Sequence, residues 1–492
     1  MGNRQLAIGE SNMEIGKYYL TAAQKDRAVS LAALRLLFEG AHKAAFYTSG
    51  KTQHVYKALG PNAANVMYIT ENLPGRCTLK YADLLFGEPL GIAPSDKNNA
   101  GQAEGLKRIS DASRLHGLLF DAAATASWSG AAWLSPLVVK GVVKLTSLAP
   151  ELVFPQRASG GELAAVEIIW QCQIAGTPYA RVIRHAPGKI EHELWELNRA
   201  GMVQGRADIK LAGAGLAEVE LTGLAGLAIV EAPNYSAGGP GLSDYAGEFA
   251  SLVDEVNNRR TQISRVLDVH ADPVVQALES LFDENGNLRA SGKVLAVEDA
   301  SKPAMQYITW QAQLSDAASA LADARDATLG HMDMAPELLG KGAGTSADSW
   351  KKFKLSVVQT LARVNRKRIF LSPAISEALT ICCLLENRFT PAISYAVSPL
   401  TLTWADGLPV DEEEQMRVIT GYRSAGLISR RRSLMILLAG NVAAVEAELA
   451  ELTQEDEASL PTGFQGQPPG LADEHPPTEG PGTDFGVGGK PG

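Results

Sequence analysis

The sequence predicts an α+β protein, β-rich in its first half and mainly helical in its second. Three observations carry this. Apolar runs with strand character lie between Ala132 and Val230, apolar residues recur at spacings of three and four from Phe249 onward, and Gly/Pro clusters divide them. The 492 residues are 46% hydrophobic and 20% charged, with mean hydropathy −0.04. That balance belongs to a chain that buries a core, not to a disordered or collagen-like one. At ~150 residues per domain, the length suggests about three units.

Residues 20–92 read as helices and short strands, with breaks at Gly60-Pro61, Pro74-Gly75 and Gly87 to Pro89. Residues 105–127 read as one helix carrying Leu106, Ile109, Leu115, Leu118, Leu119 and Ala122 mostly on one face. Strand-like runs follow at 137–139, 142–145, 165–170, 180–183 and 217–221, separated by glycines. Residues 1–240 are therefore read as one α+β domain, closed by Pro233-Asn234 and the glycine cluster 238–241.

Ser243 starts a helix with Asp244 in its first turn, and Pro273 stops the pattern. Its apolar series is Phe249, Leu252, Val253, Val256, Ile263, Val266 and Leu267; Asp254, Asn258, Arg259, Gln262 and Arg265 form the opposite, polar face. After a small interlude (268–309), an alanine-rich helix runs from about Trp310 to Leu329. Asp316, Asp323 and Asp326 give it an acidic side. A glycine-rich loop spans 333–348, where Thr345 and Asp348 make a weak capping box for the next helix. That helix carries Arg363, Arg366, Lys367 and Arg368, and Pro373 should kink or break it before it resumes to about Asn387. A strand at 400–404 precedes a compact helical unit beginning at Asp411, with Gly426 as a left-handed stop and Ser429 as a cap. From Ala458, 16 of 35 residues are Gly or Pro, so this tail is expected to be disordered.

Charge argues against a nucleic-acid clamp. The chain has 45 Lys+Arg against 55 Asp+Glu, a net charge of −10, whereas gripping phosphates needs a basic surplus. Four cysteines are too few and scattered for a disulfide framework; adjacent Cys382 and Cys383 are expected as buried thiols in a reducing compartment. No segment reads as long and apolar enough to span a membrane, and no signal peptide is apparent.

The chemical motifs are thin. Ser49-Gly50-Lys51-Thr52 resembles the end of a phosphate-binding loop, but Ala45 stands where the first glycine belongs. Gly340-Lys341-Gly342 fails the same test at Ala335. His185, Glu191, His192 and Glu193 are the only tight group of possible ligands, and such mixed stretches are usually a solvated face. No metal, cofactor or catalytic residue is assigned. Residues alone leave two classes open: a structural or interaction protein, or an enzyme whose site one sequence does not reveal, with 340–344 as a substrate lid.

The order of segments narrows this. Pro233-Asn234 with Gly241-Leu242-Ser243-Asp244, then Val266 to Pro273 with Tyr307-Ile308-Thr309-Trp310, then Leu338-Leu339-Gly340 and Ala343 to Ala347 with Val364-Asn365-Arg366-Lys367, and finally Trp404 to Pro409 with Gly426 to Ser429, occur in series. Together they resemble the portal proteins of tailed bacteriophages, in the group from siphophages of Gram-positive-type hosts. The resemblance spans about 25–457 and is strongest from 230. Ala347 departs from the glycine expected after the loop serine.

The resemblance implies a wing (1–240), stem helices (241–267 and 310–332), a clip (268–309), a tunnel loop (333–348), a long kinked helix behind it (349–387), a return to the wing (388–409), a helical crown (410–457) and the tail (458–492). It implies a non-enzymatic ring, of twelve copies in the family pattern, that passes double-stranded DNA at one capsid vertex. Its partners would be the terminase large subunit, head-completion or adaptor proteins, and capsid and scaffolding proteins, in the virion and, during assembly, the host cytoplasm. Gly340, Lys341, Gly342, Gly344, Thr345, Ser346, Lys351 and Lys352 would face the DNA, with Lys354 a further candidate. Asp316, Asp323 and Asp326 would line the channel, and Arg363, Arg366, Lys367 and Arg368 would meet neighbouring subunits. Another phage structural or adaptor protein is the third alternative.

Overall fold

A computed structural model describes residues 13–48, 67–213, 215–271, 275–277, 305–307, 314–340, 347–390, 392–405, 407, 412–438 and 442–458. The chain forms two compact units, residues 1–408 and 409–492. The phosphate-loop-like Ser49 to Thr52, most of 268–309, the loop 341–346 and the tail after Ala458 lie outside the described residues.

In the first unit, α1 (Ala22–Glu39) starts at a reciprocal capping box between Thr21 and Gln24 and ends on Gly40 at φ 85°. Helices α2 (His42–Thr48) and α3 (Leu73–Phe86) follow, the latter almost wholly buried. The single helix expected at 105–127 is two, α4 (Ala100–Ser113) and α5 (Leu115–Ser129), because Arg114 turns left-handed at φ 49°. Ser113 fixes the break: its hydroxyl donates to the Ile109 carbonyl and accepts the Leu145 amide at 2.8 Å, tying the helix end to a strand.

Two antiparallel sheets dominate the β-rich region. The smaller has order β10-β2-β3, from β2 (Ala131–Val139), β3 (Val142–Leu148) and β10 (Val230–Pro233). The larger is a meander of β4 (Val153–Arg157), β5 (Leu163–Ile174), β6 (Thr177–Ala186), β7 (Lys189–Leu197) and β8 (Val203–Ala207), with β9 (Val219–Leu221) also on β7. A two-stranded pair joins β1 (Gly91–Pro94) to β13 (Leu400–Thr403), so residues some 300 positions apart share one ladder.

The helix expected from Ser243 begins later, as α6 (Phe249–Ala271), because Ser243 and Asp244 are used in a buried turn described below. Asp254 and Asn258, read as part of the polar face, are buried. The extended segment 67–72 lies along α6: the Tyr68 hydroxyl donates to Asp254, and the amides of Ile69 and Glu71 donate to Thr261 and Asn257. Short strands β11 (Val275–Ala277) and β12 (Met305–Tyr307) pair antiparallel. Next come α7 (Leu314–His331), α8 (Ala347–Ser356) and α9 (Val358–Phe389).

The break in this last stretch falls at Val357, and α9 runs through Pro373 without interruption. Proline deprives the carbonyl four residues earlier of its donor. That residue, Ile369, is 68% exposed, so solvent can supply one. α9 also contains an 18-residue window of mean hydropathy 1.6, long and apolar enough by length and composition to span a membrane. The sequence reading found no such segment. Over half of that window is buried, the pattern of a core helix laid on the smaller sheet. Cys382 and Cys383 are both fully buried within it.

The second unit holds α10 (Glu412–Ser424), α11 (Arg430–Leu437) and α12 (Val442–Ala458). Gly426 at φ 69° ends α10, and Ser429 caps α11 by accepting the Arg432 amide. Val445, Ile419 and Ser433 form its interior, and Arg431 pairs with Glu446 at 2.5 Å.

Candidate functional site

The segment joining β10 to α6 builds the most highly charged interior site among the described residues. Gly130 and Gly241 cross backbone to backbone: a Cβ on Gly241 would sit 2.2 Å from the Gly130 carbonyl oxygen. Only glycine permits this approach. The crossing lays residues 243–245 under the C-terminal end of α5, where the Asp244 amide donates to the Ser127 carbonyl and the Ser243 hydroxyl donates to that of Trp128. Two carbonyls that the helix leaves open are thus satisfied.

Asp244 is then 1% exposed and must be compensated. Its Oδ1 accepts from Asn234 Nδ2 and Arg363 Nη2, each at 2.9 Å; its Oδ2 accepts from Ser127 Oγ and Lys367 Nζ, each at 2.5 Å. Arg363 and Lys367 lie one turn apart on α9 and reach the same carboxylate. Arg363 Nη1 extends to Asp333 at 3.1 Å and to the His331 carbonyl, tying the end of α7 into the cluster. Tyr81 covers it, its ring centroid 4.8 Å from Lys367 Nζ and its hydroxyl donating to the Met332 carbonyl.

Burial alone would raise the Asp244 pKa, but the two cations outweigh it and hold the group down to about 2. Burial pushes Lys367 down to about 8 against the pull of Asp244. Arg363 is raised, since Asp244 more than offsets its burial.

This site corrects the reading of the basic residues. Arg363 and Lys367, expected to meet neighbouring subunits, are instead buried and paired within their own chain. Arg368 donates to the Ala405 carbonyl at 2.6 Å and lies over the Trp404 ring. Arg366 alone of the four is exposed. The residues that sequence reasoning missed are Asn234, Asp244, Asp333 and Ser127 as one group. Nothing in linear spacing joins positions more than a hundred residues apart.

Asp316, Asp323 and Asp326 are exposed on α7. At about 100° per residue they form a stripe roughly opposite Leu321, Thr328 and Leu329, the buried face. Glu71 ties this hairpin to the segment before α3, accepting from Arg260 at 2.8 Å and from Arg325 at 2.6 Å. Gly340 is left-handed at φ 87° and closes a short 3₁₀ turn. Lys341, Gly342, Gly344, Thr345 and Ser346 lie outside the described residues, as does the Lys351 side chain; Lys352 and Lys354 are exposed.

Strand alternation divides the histidine group. His185 and His192 share one face of the larger sheet, and Glu191 and Glu193 occupy the other. Both histidines are buried, and burial pushes His185 down to about 4. The stretch is therefore a strand interior, not a solvated face. No group of three or more potential metal ligands occurs among the described residues.

No curated protein matches the chain. Among solved structures it is similar to chains of a gene transfer agent particle. The neck of the empty particle, with C6 symmetry, gives TM-score 0.42 at 13% identity, covering 78% of this chain and 94% of that one. The neck of the native particle, with C12 symmetry, gives 0.39 at 14%, covering 74% and 88%. The virion of the native particle gives the same values. Residues 246–462, from the start of α6 through α12, match the family model described as phage portal protein, SPP1 Gp6-like. The family that this model describes is structural and not enzymatic.

Proposed function

We propose that about twelve copies of this chain close head to tail into a ring at one vertex of a phage-like capsid, and that double-stranded DNA is packaged, held and released through it. The match over 246–462 carries this reading, since it takes in the α6–α7 hairpin, the glycine loop and α9. In it, α6 and α7 form the channel wall, 268–309 the clip that docks the terminase and later the head-completion proteins, 1–240 the wing, and 410–457 the crown. The unit beginning at residue 409 is consistent with a separate crown. Terminase would supply the ATP hydrolysis that drives DNA.

The acidic stripe suits a conduit. Repeated around a ring, Asp316, Asp323 and Asp326 repel phosphates and let a duplex slide. Lys341, together with Lys351, Lys352 and Lys354, supplies brief, salt-screened contacts.

Negative-stain images of purified protein are expected to show rings with a central hole wide enough for duplex DNA. A monomer at all concentrations, also after co-expression with capsid components, would overturn the reading. Rings carrying Asp316→Lys, Asp323→Lys and Asp326→Lys together should retard duplex DNA in a gel at a salt concentration where wild-type rings do not. Equal mobility for both would remove the acidic stripe from the channel.

A further inference from the structure

The Asp244 cluster contains more than ion pairs. Its carboxylate bridges a primary amine and a carboxamide that touch each other. Lys367 Nζ donates to Asp244 Oδ2 at 2.5 Å, Asn234 Nδ2 donates to Asp244 Oδ1 at 2.9 Å, and Lys367 Nζ also donates to Asn234 Oδ1. All three residues are at most 2% exposed. Asn234 is held by its backbone amide on the Gly130 carbonyl and by Nδ2 on that of Leu242. A nucleophilic amine, a carbonyl carbon and a carboxylate in contact with both the nucleophile and the leaving nitrogen are the groups an amide exchange requires.

We propose that Lys367 and Asn234 become joined by an isopeptide bond, with Asp244 carrying the proton between the two nitrogens. Neutral Nζ attacks Asn234 Cγ; the Nζ–Cγ bond forms and the carbonyl electron pair moves onto Oδ1. Asp244 Oδ2 takes one proton from Nζ, and the same carboxyl group delivers a proton to Nδ2 through Oδ1. The carbonyl re-forms as the Cγ–Nδ2 bond breaks, and ammonia leaves. One carboxamide is consumed and one secondary amide formed, with nothing oxidised or reduced and no further reactant.

The surroundings favour each requirement. Burial lowers the Lys367 pKa to about 8, so neutral amine is populated in mildly alkaline solution. The charged and titratable groups facing it are Asp244 from the connecting segment, Arg363 and Arg366 from its own helix and Tyr81 from α3; Tyr245 and Cys77 act on it through Asp244, and Asp333 through Arg363. Arg363 keeps Asp244 ionised and so ready to accept a proton. Contact in a fixed interior replaces a bimolecular encounter, and exclusion of water protects the product from hydrolysis.

The test is denaturing mass spectrometry of the full chain after incubation above pH 8, followed by tryptic mapping. The wild type is expected to be lighter by one ammonia and to yield a branched peptide joining the Asn234 and Lys367 segments. Asn234→Ala and Lys367→Arg should each show full mass, and Asp244→Asn should slow the linkage by about 100-fold or more, the usual weight of a positioned acid–base group. A wild-type chain of full mass with two linear peptides overturns the proposal whatever the variants do. Loss of ammonia without a branched peptide, as from a succinimide at Asn234, overturns it equally. Unslowed linkage in Asp244→Asn removes Asp244 from the chemistry.

Discussion

Replacing Asp244 with leucine is expected to destabilise the first unit by about 3–5 kcal/mol, because Lys367 and Arg363 would be left buried without their counter-ion. Removing one partner is the expensive change; replacing the whole set is not. The triple variant Asp244→Leu, Arg363→Met, Lys367→Met should therefore recover most of the loss in guanidinium unfolding. The pH profile supplies a second reading. In the folded chain Asp244 titrates near 2, below its ordinary 3.8, so between these values the unfolded chain binds more protons. The stabilisation is present above about pH 4 and lost as the pH falls towards 2. Lys367, held near 8 instead of 10.5, leaves the unfolded chain with more protons between about pH 8 and 10.5, so its own contribution to stability rises with pH across that second, alkaline window. Asp244→Leu should lack the acid limb. An unchanged limb and midpoint would show that the cluster does not stabilise the fold.

Phe249→Ala should cost a similar amount, about 3–5 kcal/mol, through the cavity it leaves. Phe249 is fully buried at the first turn of α6, stacked on Tyr245 at 5.1 Å and on His331 at 5.0 Å between ring centroids. One ring thus packs the start of α6 against the end of α7. Phe249→Leu should lose less, since more of the volume is kept. Amide exchange in α6 and α7 is expected to quicken before that in the larger sheet. Uniform quickening throughout the unit would mean that the hairpin has no separate stability.

These two residues show what the sequence discloses and what it withholds. Phe249 stood out because its spacing with Val253 and Val256 marks an apolar helix face, and all three are buried. Asp244 was visible as an acidic residue near a helix start and as part of a segment beginning at Pro233-Asn234, but not as a buried charge, since Ser127, Arg363 and Lys367 lie more than a hundred positions away. The same limit explains the polar side of α6. Asp254 and Asn258 look solvated until the segment 67–72 is laid against them. β5 and β6 were legible from their apolar runs, whereas β7 was hidden, because His192 interrupts the aliphatic series Ile190, Leu194 and Leu197 and charged residues alternate with it. The break at Arg114 has no glycine or proline to announce it; a strand amide across the fold selects it. The acidic stripe of α7 was readable because it depends on helical period alone.

The charge cluster also constrains how a nascent chain can mature. When Asp244 leaves the ribosome, Arg363 and Lys367 have not been made, and at ~5–20 residues per second they follow some 6–25 seconds later. Until then the turn under α5 cannot close without stranding a bare carboxylate in a dry interior. The β1 ladder waits longer still, for Leu400 to Thr403. Shortened products ending before α9 would thus lack both the counter-ions and the helix that covers the smaller sheet. Cellular proteases would see them as unfinished, and only full-length subunits would reach assembly.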